Sequence, residues 1–224
     1  MEEYEGFTKY RSYVLQLVQE PIGDAVEAKE LNSEFTMEQT EPKFKLFNGF
    51  SEIAGIIDTL NLIETFISID PPVEEGVNSS NYLNYHVHNY FQEMYILKER
   101  LNAYLTLIQR LSKKRINKKL LDEAIALLFT MIHGSLDNIA GHKGVRNKHV
   151  HQKKYSDDEM RWLASTSFLS EFHDEFTRES ESAYGIAKGK WITIIGKNNV
   201  ELKTLIDVYF GMCYEIVTQL DNVN

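Results

Sequence analysis

The most regular feature of the sequence is a series of apolar residues at alternating spacings of four and three. The series runs without a break through four heptads, and its members are Leu83, Val87, Tyr90, Met94, Leu97, Leu101, Tyr104, Ile108 and Leu111. This spacing brings all of them to one side of an α-helix. The pattern therefore predicts one helix of about 30 residues that packs along its length in a helical bundle.

A second helix is predicted directly after the first. Its apolar side is formed by Leu121, Ile125, Leu128, Ile132, Ser135 and Ile139. A neighbouring line of residues widens that side, namely Leu120, Ala124, Leu127 and Met131. We therefore expect the second helix to be central and well buried. The short basic turn between the two helices predicts an antiparallel helical hairpin.

Three more helices are predicted from shorter patterns. They cover Ser51–Ile69, about Asp157–Phe176 and about Val200–Leu220. Pro71 and Pro72 end the first of these, because proline cannot continue a helix. Ser156 and Glu159 have the spacing of a capping box at the start of the second.

The first 50 residues have the least regular pattern. We interpret residues 1–50 as an N-terminal extension that packs on a main domain of residues 51–224. Two short stretches resemble strands, Lys43–Phe47 through its alternation of polar and apolar residues and the run WITII that begins at Trp191. The predicted fold is therefore all-α, a helical bundle built on a long antiparallel helical hairpin, with minor strand or irregular pieces.

Composition removes several classes of protein. Cys213 is the only cysteine, so an intrachain disulfide framework and a thiolate zinc site are excluded. The acidic start MEEYEGFTKY has no apolar core of a signal peptide, and the longest apolar run, around Ile125 to Ile132, is far shorter than the roughly 20 residues of a membrane span. We expect a cytoplasmic protein without a membrane partner. No spacing of histidines and acids predicts a metal site, and no glycine-rich phosphate loop predicts a cofactor.

Charge is distributed unevenly along the chain, whose net charge is −9. Residues 110–119 contain six cations and no acid, and residues 142–154 contain five cations, three histidines and no acid. The other 201 residues carry 13 cations against 33 anions. If the fold brings these two basic segments together, they form a positive patch suited to phosphates on an otherwise acidic body. For the first segment alone, cations at a helix C-terminus are an equally good explanation.

The second basic segment combines Arg146 with His151. Arginine binds phosphate oxygens through its planar, always charged guanidinium group. Histidine can accept or donate a proton near neutral pH. Cleavage of a phosphodiester without a metal needs both functions, a general base or acid for the 2′-hydroxyl and the leaving oxygen and a cation for the phosphorus oxygens.

Arg146 and Asn147, followed by three residues and then His151, resemble the Arg-x4–6-His signature of the HEPN superfamily (higher eukaryotes and prokaryotes nucleotide-binding domains), in which a polar residue typically follows the arginine. The setting is also similar, since the motif follows two long antiparallel helices and precedes further helices. The resemblance covers about residues 51–220. It implies that Arg146 holds the scissile phosphate, His151 transfers protons and Asn147 orients one of them.

Many HEPN proteins are metal-independent RNA endonucleases of toxin–antitoxin, abortive-infection and CRISPR systems, and they usually dimerise so that two motifs line one cleft. The resemblance therefore implies RNA, a second copy of the chain and an antitoxin such as a nucleotidyltransferase as partners. The predicted RNA-binding residues are Lys143, Lys148, His149, Lys153, Lys154, Lys113, Lys114 and Arg115.

In a continuous helix the side chains of Arg146 and His151 would point about 140° apart. They would converge only at a helix end, through the length of the arginine, or across a dimer interface, and His149 is the alternative to His151.

The first long helix carries two more histidines, His86 and His88. They point about 200° apart on a helix, so they cannot bind one ion together. His86 shares a face with Asn89 and Glu93. We interpret His86 as a structural histidine or as part of a supporting polar network with Glu93 beside the cleft.

Besides a HEPN ribonuclease, two functions of the protein stay open. One is a non-catalytic RNA- or nucleotide-binding HEPN-like module, and the other is a helical protein-interaction domain.

Overall fold

The fold is given by a computed structural model. The residues that it describes are 5–30, 41–72, 77–113, 117–139 and 157–221. They form six α-helices, α1 (Glu5–Glu30), α2 (Pro42–Ser68), α3 (Ser79–Ser112), α4 (Lys118–Ile139), α5 (Asp158–Ser170) and α6 (Thr177–Asp221), with a 3-10 turn at Asp174–Phe176. No strand occurs within these ranges. The predicted all-α helical bundle is confirmed.

Both strand-like stretches are helical, so that part of the prediction is wrong. Lys43–Phe47 lies inside α2, and the run at Trp191 lies inside α6, which continues for 45 residues. Trp191 and Ile195 are four residues apart and both are buried, as expected for one side of a helix. Packing of that side outweighs the strand preference of a β-branched run.

The helix predicted from the heptad pattern is confirmed as α3, which has 34 residues. Eight of its nine apolar heptad residues are buried, and Leu111 near its end is half-buried. Residues 113–117 connect α3 to α4, and Gln109 Nε2 donates a hydrogen bond to Asp122 Oδ1 at 3.3 Å beside this connection. The two helices therefore form the predicted hairpin.

Only one of the two apolar lines predicted on α4 is buried. The line that includes Leu121, Ile125 and Leu128 is buried, whereas Leu120 and Leu127 are 62% and 58% exposed. The expectation that α4 is buried on a widened side is wrong for this second line. An amphipathic helix buries only the side that faces its neighbours, and hydrophobicity alone does not identify that side.

Three helix boundaries differ from the prediction. α2 begins at Pro42 rather than Ser51, α5 ends at Ser170 rather than Phe176, and α6 begins at Thr177 rather than Val200. Asp157 caps α5, because its Oδ1 accepts a hydrogen bond from the Met160 N–H at 2.8 Å. Ser156, the predicted cap, lies outside the described residues.

The chain divides into two compact units. Unit 1 contains Met1–Gly55, Leu97–Ser135 and Leu202–Asn224, and unit 2 contains Ile56–Ile96 and Leu136–Glu201. These units interleave along the chain. The predicted division into residues 1–50 and 51–224 stays a prediction.

Aromatic rings fill the interior of unit 1. Phe210 contacts the rings of Tyr10 and Phe50 at centroid distances of 5.1 and 5.2 Å. Tyr104 donates its hydroxyl hydrogen to the Leu46 carbonyl oxygen at 2.9 Å, so the Tyr10 hydroxyl donates to Tyr104 at 2.7 Å. Burial raises the pKa of both phenols. The hydroxyl groups are thus hydrogen-bonded within an otherwise apolar core.

Helix α1 contacts α6 closely inside unit 1. A side chain at Gly6 would overlap the backbone of Asp207 and Gly211. Asp207 Oδ1 accepts a hydrogen bond from the Phe7 N–H at 3.1 Å. A carboxylate at this position is favourable, since the first N–H groups of a helix have no partner within the helix.

Candidate functional site

The catalytic residues predicted from the sequence, Arg146, Asn147 and His151, lie outside the described residues. So do seven of the predicted RNA-binding residues, namely Lys143, Lys148, His149, Lys153, Lys154, Lys114 and Arg115. Their roles stay predictions. The described chain ends at Ile139 on one side of this segment and resumes at Asp157 on the other.

Four cations of the first basic segment belong to the described residues, and all are exposed. They are Arg110, Lys113, Lys118 and Lys119. The first two lie in the last turn of α3 and directly after it, and the Lys113 N–H donates to the Gln109 carbonyl at 3.1 Å. Their position at a helix C-terminus is favourable for a positive charge.

The other two cations occupy an electrostatically unfavourable place. Lys118 and Lys119 begin α4, whose N-terminus has a partial positive charge. Asn117 precedes them and accepts a hydrogen bond from the Lys119 N–H through its Oδ1 at 3.0 Å. The explanation by the helix dipole therefore holds for Arg110 and Lys113 and fails for this pair. Cations without a stabilising role in the helix are candidates for binding an anion.

A shallow, open depression lies beside the start of α4. It is lined by Asn117, Lys118, Lys119, Asp122, Glu123 and Ala126. Two acids among the six lining residues offset the two lysines. The depression by itself is therefore not a strongly positive phosphate site.

His86 lies in aromatic surroundings. Its ring stacks on Phe66 at a centroid distance of 5.4 Å, and the rings of Tyr82 and Tyr85 approach it at 4.6 and 5.3 Å in edge geometry. Burial lowers the pKa of His86. No described residue forms a hydrogen bond with the buried His86 Nδ1. These contacts are those of a neutral histidine in an apolar environment.

Glu93 lies seven residues after His86 on α3 and is half-buried. Burial raises the pKa of its carboxyl group. Among the described residues no hydrogen bond joins Glu93 to His86. The supporting polar network proposed for this pair stays a prediction.

Unit 2 contains a polar layer that was not predicted from the sequence. Asn199 Nδ2 donates to Glu64 Oε2 at 2.6 Å, and the Tyr90 hydroxyl donates to Asn199 Oδ1 at 3.3 Å. Asn199 is buried, and burial raises the pKa of Tyr90. The polar pair Asn198–Asn199 inside an apolar pattern was the only signal in the sequence, and it does not identify the partners.

Two lysines of α6 hold other parts of unit 2. Lys190 Nζ pairs with Asp157 Oδ2 at 2.9 Å and also bonds Glu159, which attaches the start of α5. Lys188 Nζ bonds Asp70 Oδ1 at 2.7 Å and the Ile69 carbonyl at 3.1 Å, just after the end of α2. Cations are favourable at that end of a helix.

Within the described ranges, no three histidine, cysteine, aspartate or glutamate side chains are grouped so that they could hold a metal ion. None of the described helices has a stretch long and apolar enough to cross a membrane.

Cys213 is buried. Burial raises the pKa of its thiol, so the thiolate that nucleophilic chemistry needs is disfavoured.

Comparison with known proteins gives no match: no protein-family model, no curated protein and no solved structure is significantly similar to the chain. The resemblance to the HEPN superfamily therefore rests on the residues of the sequence.

Proposed function

We propose that the protein is a metal-independent RNA endonuclease of the HEPN type that acts as a homodimer in a toxin or phage-defence role. The observation that supports the proposal is the spacing of Arg146 and His151 within a segment that contains no acid. That segment follows the second helix of a helical hairpin in sequence, in a chain whose regular elements are all helices within the described residues.

The chemistry follows from these side chains. His151 accepts the proton of a 2′-hydroxyl, whose oxygen attacks the adjacent phosphorus while the bond to the 5′ oxygen breaks. The departing oxygen takes a proton, for which a second His151 in a dimer is available. Arg146 stabilises the negative charge on the phosphorus oxygens, and Asn147 orients one of the two. The products are a 2′,3′-cyclic phosphate and a 5′-hydroxyl.

Lys118 and Lys119 support an RNA contact outside the motif. They carry two positive charges at the start of α4, where the helix dipole disfavours them, and they are exposed together with Arg110 and Lys113. RNA phosphates would stabilise these charges. Because the body of the protein is acidic, we expect RNA to contact mainly the two basic segments.

The test is RNA cleavage in the presence of EDTA by the wild type and the variants His151→Ala and Arg146→Ala. We expect each variant to lose cleavage by at least about 100-fold, since general acid–base and electrostatic catalysis each contribute on that order. His133→Ala, which removes an exposed histidine of α4, is the matched control and should cleave like the wild type.

Three results contradict the proposal in different ways. Cleavage that survives both substitutions rejects the assignment of Arg146 and His151. Cleavage that EDTA abolishes rejects the metal-free mechanism. RNA binding that weakens steeply with salt, without any cleavage of diverse RNAs, replaces the nuclease with the non-catalytic binding module.

A further inference from the structure

Helix α5 and the turn after it carry an exposed aromatic surface. Trp162, Phe168 and Phe172 are 58%, 61% and 68% exposed. The rings of Phe168 and Phe172 contact each other at a centroid distance of 5.3 Å. We call Trp162, Phe168, Leu169 and Phe172 the aromatic face. Soluble proteins rarely expose adjoining large apolar side chains, and where they do, the exposed surface is often an interaction site.

The aromatic face is carried by a well-anchored helix. The opposite side of α5 is buried through Met160 and Leu163. Lys190 pairs with Asp157 before the first turn, and Asn78 Nδ2 donates to Glu171 Oε1 at 3.3 Å after the last. The exposed rings are therefore presented on a helix that other parts of unit 2 hold in place.

The charge around the aromatic face is strongly negative. Residues 157–181 contain eight acids and two arginines. Lys190 offsets part of this charge near Asp157 and Glu159. Glu171, Asp174 and Glu175, which flank Phe172, are exposed.

This charge decides between occupants of the surface. RNA and anionic lipid would be repelled by the acids, although aromatic rings alone would suit either. A second copy that presented the same face would also bring like charges together. A cationic partner with apolar side chains would bind favourably for two reasons. Its apolar side chains would cover the aromatic rings, and its lysines or arginines would pair with the acids.

We propose that the aromatic face docks a basic amphipathic helix of a partner protein. Trp162 and Leu169 are seven residues apart and lie on the same side of α5, and Phe172 extends that line. Apolar residues at helical spacing on the partner pack against these side chains, and flanking cations pair with Glu171, Asp174 and Glu175. The site shares no residue with Arg146 and His151, so it does not depend on the proposed nuclease.

The chain contains its own reporter for this docking. It has two tryptophans, of which Trp162 is exposed and Trp191 is buried. A probe that covers Trp162 should shift its fluorescence emission to shorter wavelength. The probe is a synthetic 18-residue helix of leucine and lysine with leucines at the i, i+3, i+4 and i+7 positions. The matched probe replaces every lysine with glutamate.

We expect the leucine–lysine helix to bind saturably and to shift the emission, and the leucine–glutamate helix to do neither. The double variant Phe168→Ser/Phe172→Ser keeps Trp162 and should bind about tenfold more weakly or worse, the size typical of lost aromatic anchors. Changing Glu171, Asp174 and Glu175 to their amides should weaken binding and remove much of its dependence on salt. Leu127→Ser, which removes an exposed leucine of α4, should bind like the wild type.

Binding that does not saturate, that both helices share or that the Phe168 and Phe172 substitutions leave unchanged overturns the proposal. Self-association of the free protein that these substitutions abolish assigns the face to a second copy instead, and that also overturns it. RNA cleavage by the double variant tests the nuclease separately, because neither phenylalanine belongs to the Arg146–His151 motif.

Discussion

Units 1 and 2 stabilise their interiors by different means. In unit 1, aromatic rings from α1, α2 and α6 meet around Phe210, and the buried phenol of Tyr104 donates to a backbone carbonyl. In unit 2, a buried asparagine, Asn199, joins a carboxylate of α2 to a phenol of α3. Apolar burial is non-directional and nearly independent of pH, whereas a buried polar group is stabilising only when each partner is present.

The largest expected effect is in the aromatic core of unit 1. Replacing Phe210 by alanine removes a fully buried ring that contacts Phe7, Tyr10 and Phe50. The free energy of unfolding should fall by about 3–5 kcal/mol, as for other buried phenylalanines. Urea unfolding followed by circular dichroism measures this loss. The exposed Phe172→Ala is the control, with an expected change of about 0.5 kcal/mol or less.

A smaller effect is expected for the polar layer of unit 2. Asn199→Ala removes the donor to Glu64 and the acceptor for Tyr90 together. The buried Tyr90 hydroxyl and the half-buried Glu64 carboxylate would lose these hydrogen bonds, which should lower the free energy of unfolding by about 1–3 kcal/mol. Tyr90→Phe, which removes a single hydroxyl, should cost less in the same urea titration. A loss for Asn199→Ala as large as that of Phe210→Ala would contradict the contrast between the units.

The smallest expected effect is a dependence of the free energy of unfolding on pH, which arises from His86 in unit 2. Burial lowers the folded-state pKa of His86 below its ordinary value of 6.5, so the unfolded state binds the proton more readily. The contribution of His86 to stability is fully present above pH 6.5 and is lost as the pH falls below that value. His86→Phe should flatten this part of the profile of unfolding free energy against pH.

The effect of Glu93 on stability has the opposite sign to that of His86 and occurs at lower pH. Burial raises the pKa of its carboxyl group above 4.5, so protonation stabilises the folded state as the pH falls toward that range. The slope between pH 7 and pH 6 therefore separates His86 from Glu93. If His86→Phe keeps the wild-type slope there, the histidine is not the group responsible.

The local pattern of apolar residues was sufficient to predict the long hairpin but insufficient to predict the full length of the last helix. The unbroken heptads from Leu83 to Leu111 predicted α3 because side chains three and four residues apart share a side of any helix. The first half of α6 was missed, since its pattern is interrupted by glycines and by the β-branched run after Trp191. Burial of Ala183, Ala187 and Trp191 supports the helix there, and such burial requires neighbours that are distant in sequence.

The candidate site likewise has features that could be predicted from the sequence and features that required the structure. The choice of Arg146 and His151 depends on residue type and spacing, which one chain segment contains. Lys118 and Lys119 were already assigned to a basic segment, but only the observed start of α4 shows that the helix dipole opposes them. The exposure of Trp162 and Phe172 could not be predicted, because aromatic residues at helical spacing are more often buried.

The sequence alone determined the helical class, the approximate length of α3 and the two basic segments, and it was the source of Arg146 and His151 as candidate residues. Each of these depends on neighbours within a few turns of one helix or on composition. The tertiary structure decided which apolar line of α4 is buried, that Glu64 meets Asn199 across 135 positions of the chain, and that aromatic rings surround His86. These features depend on which helix sides face each other, and the period of a single helix does not contain that information.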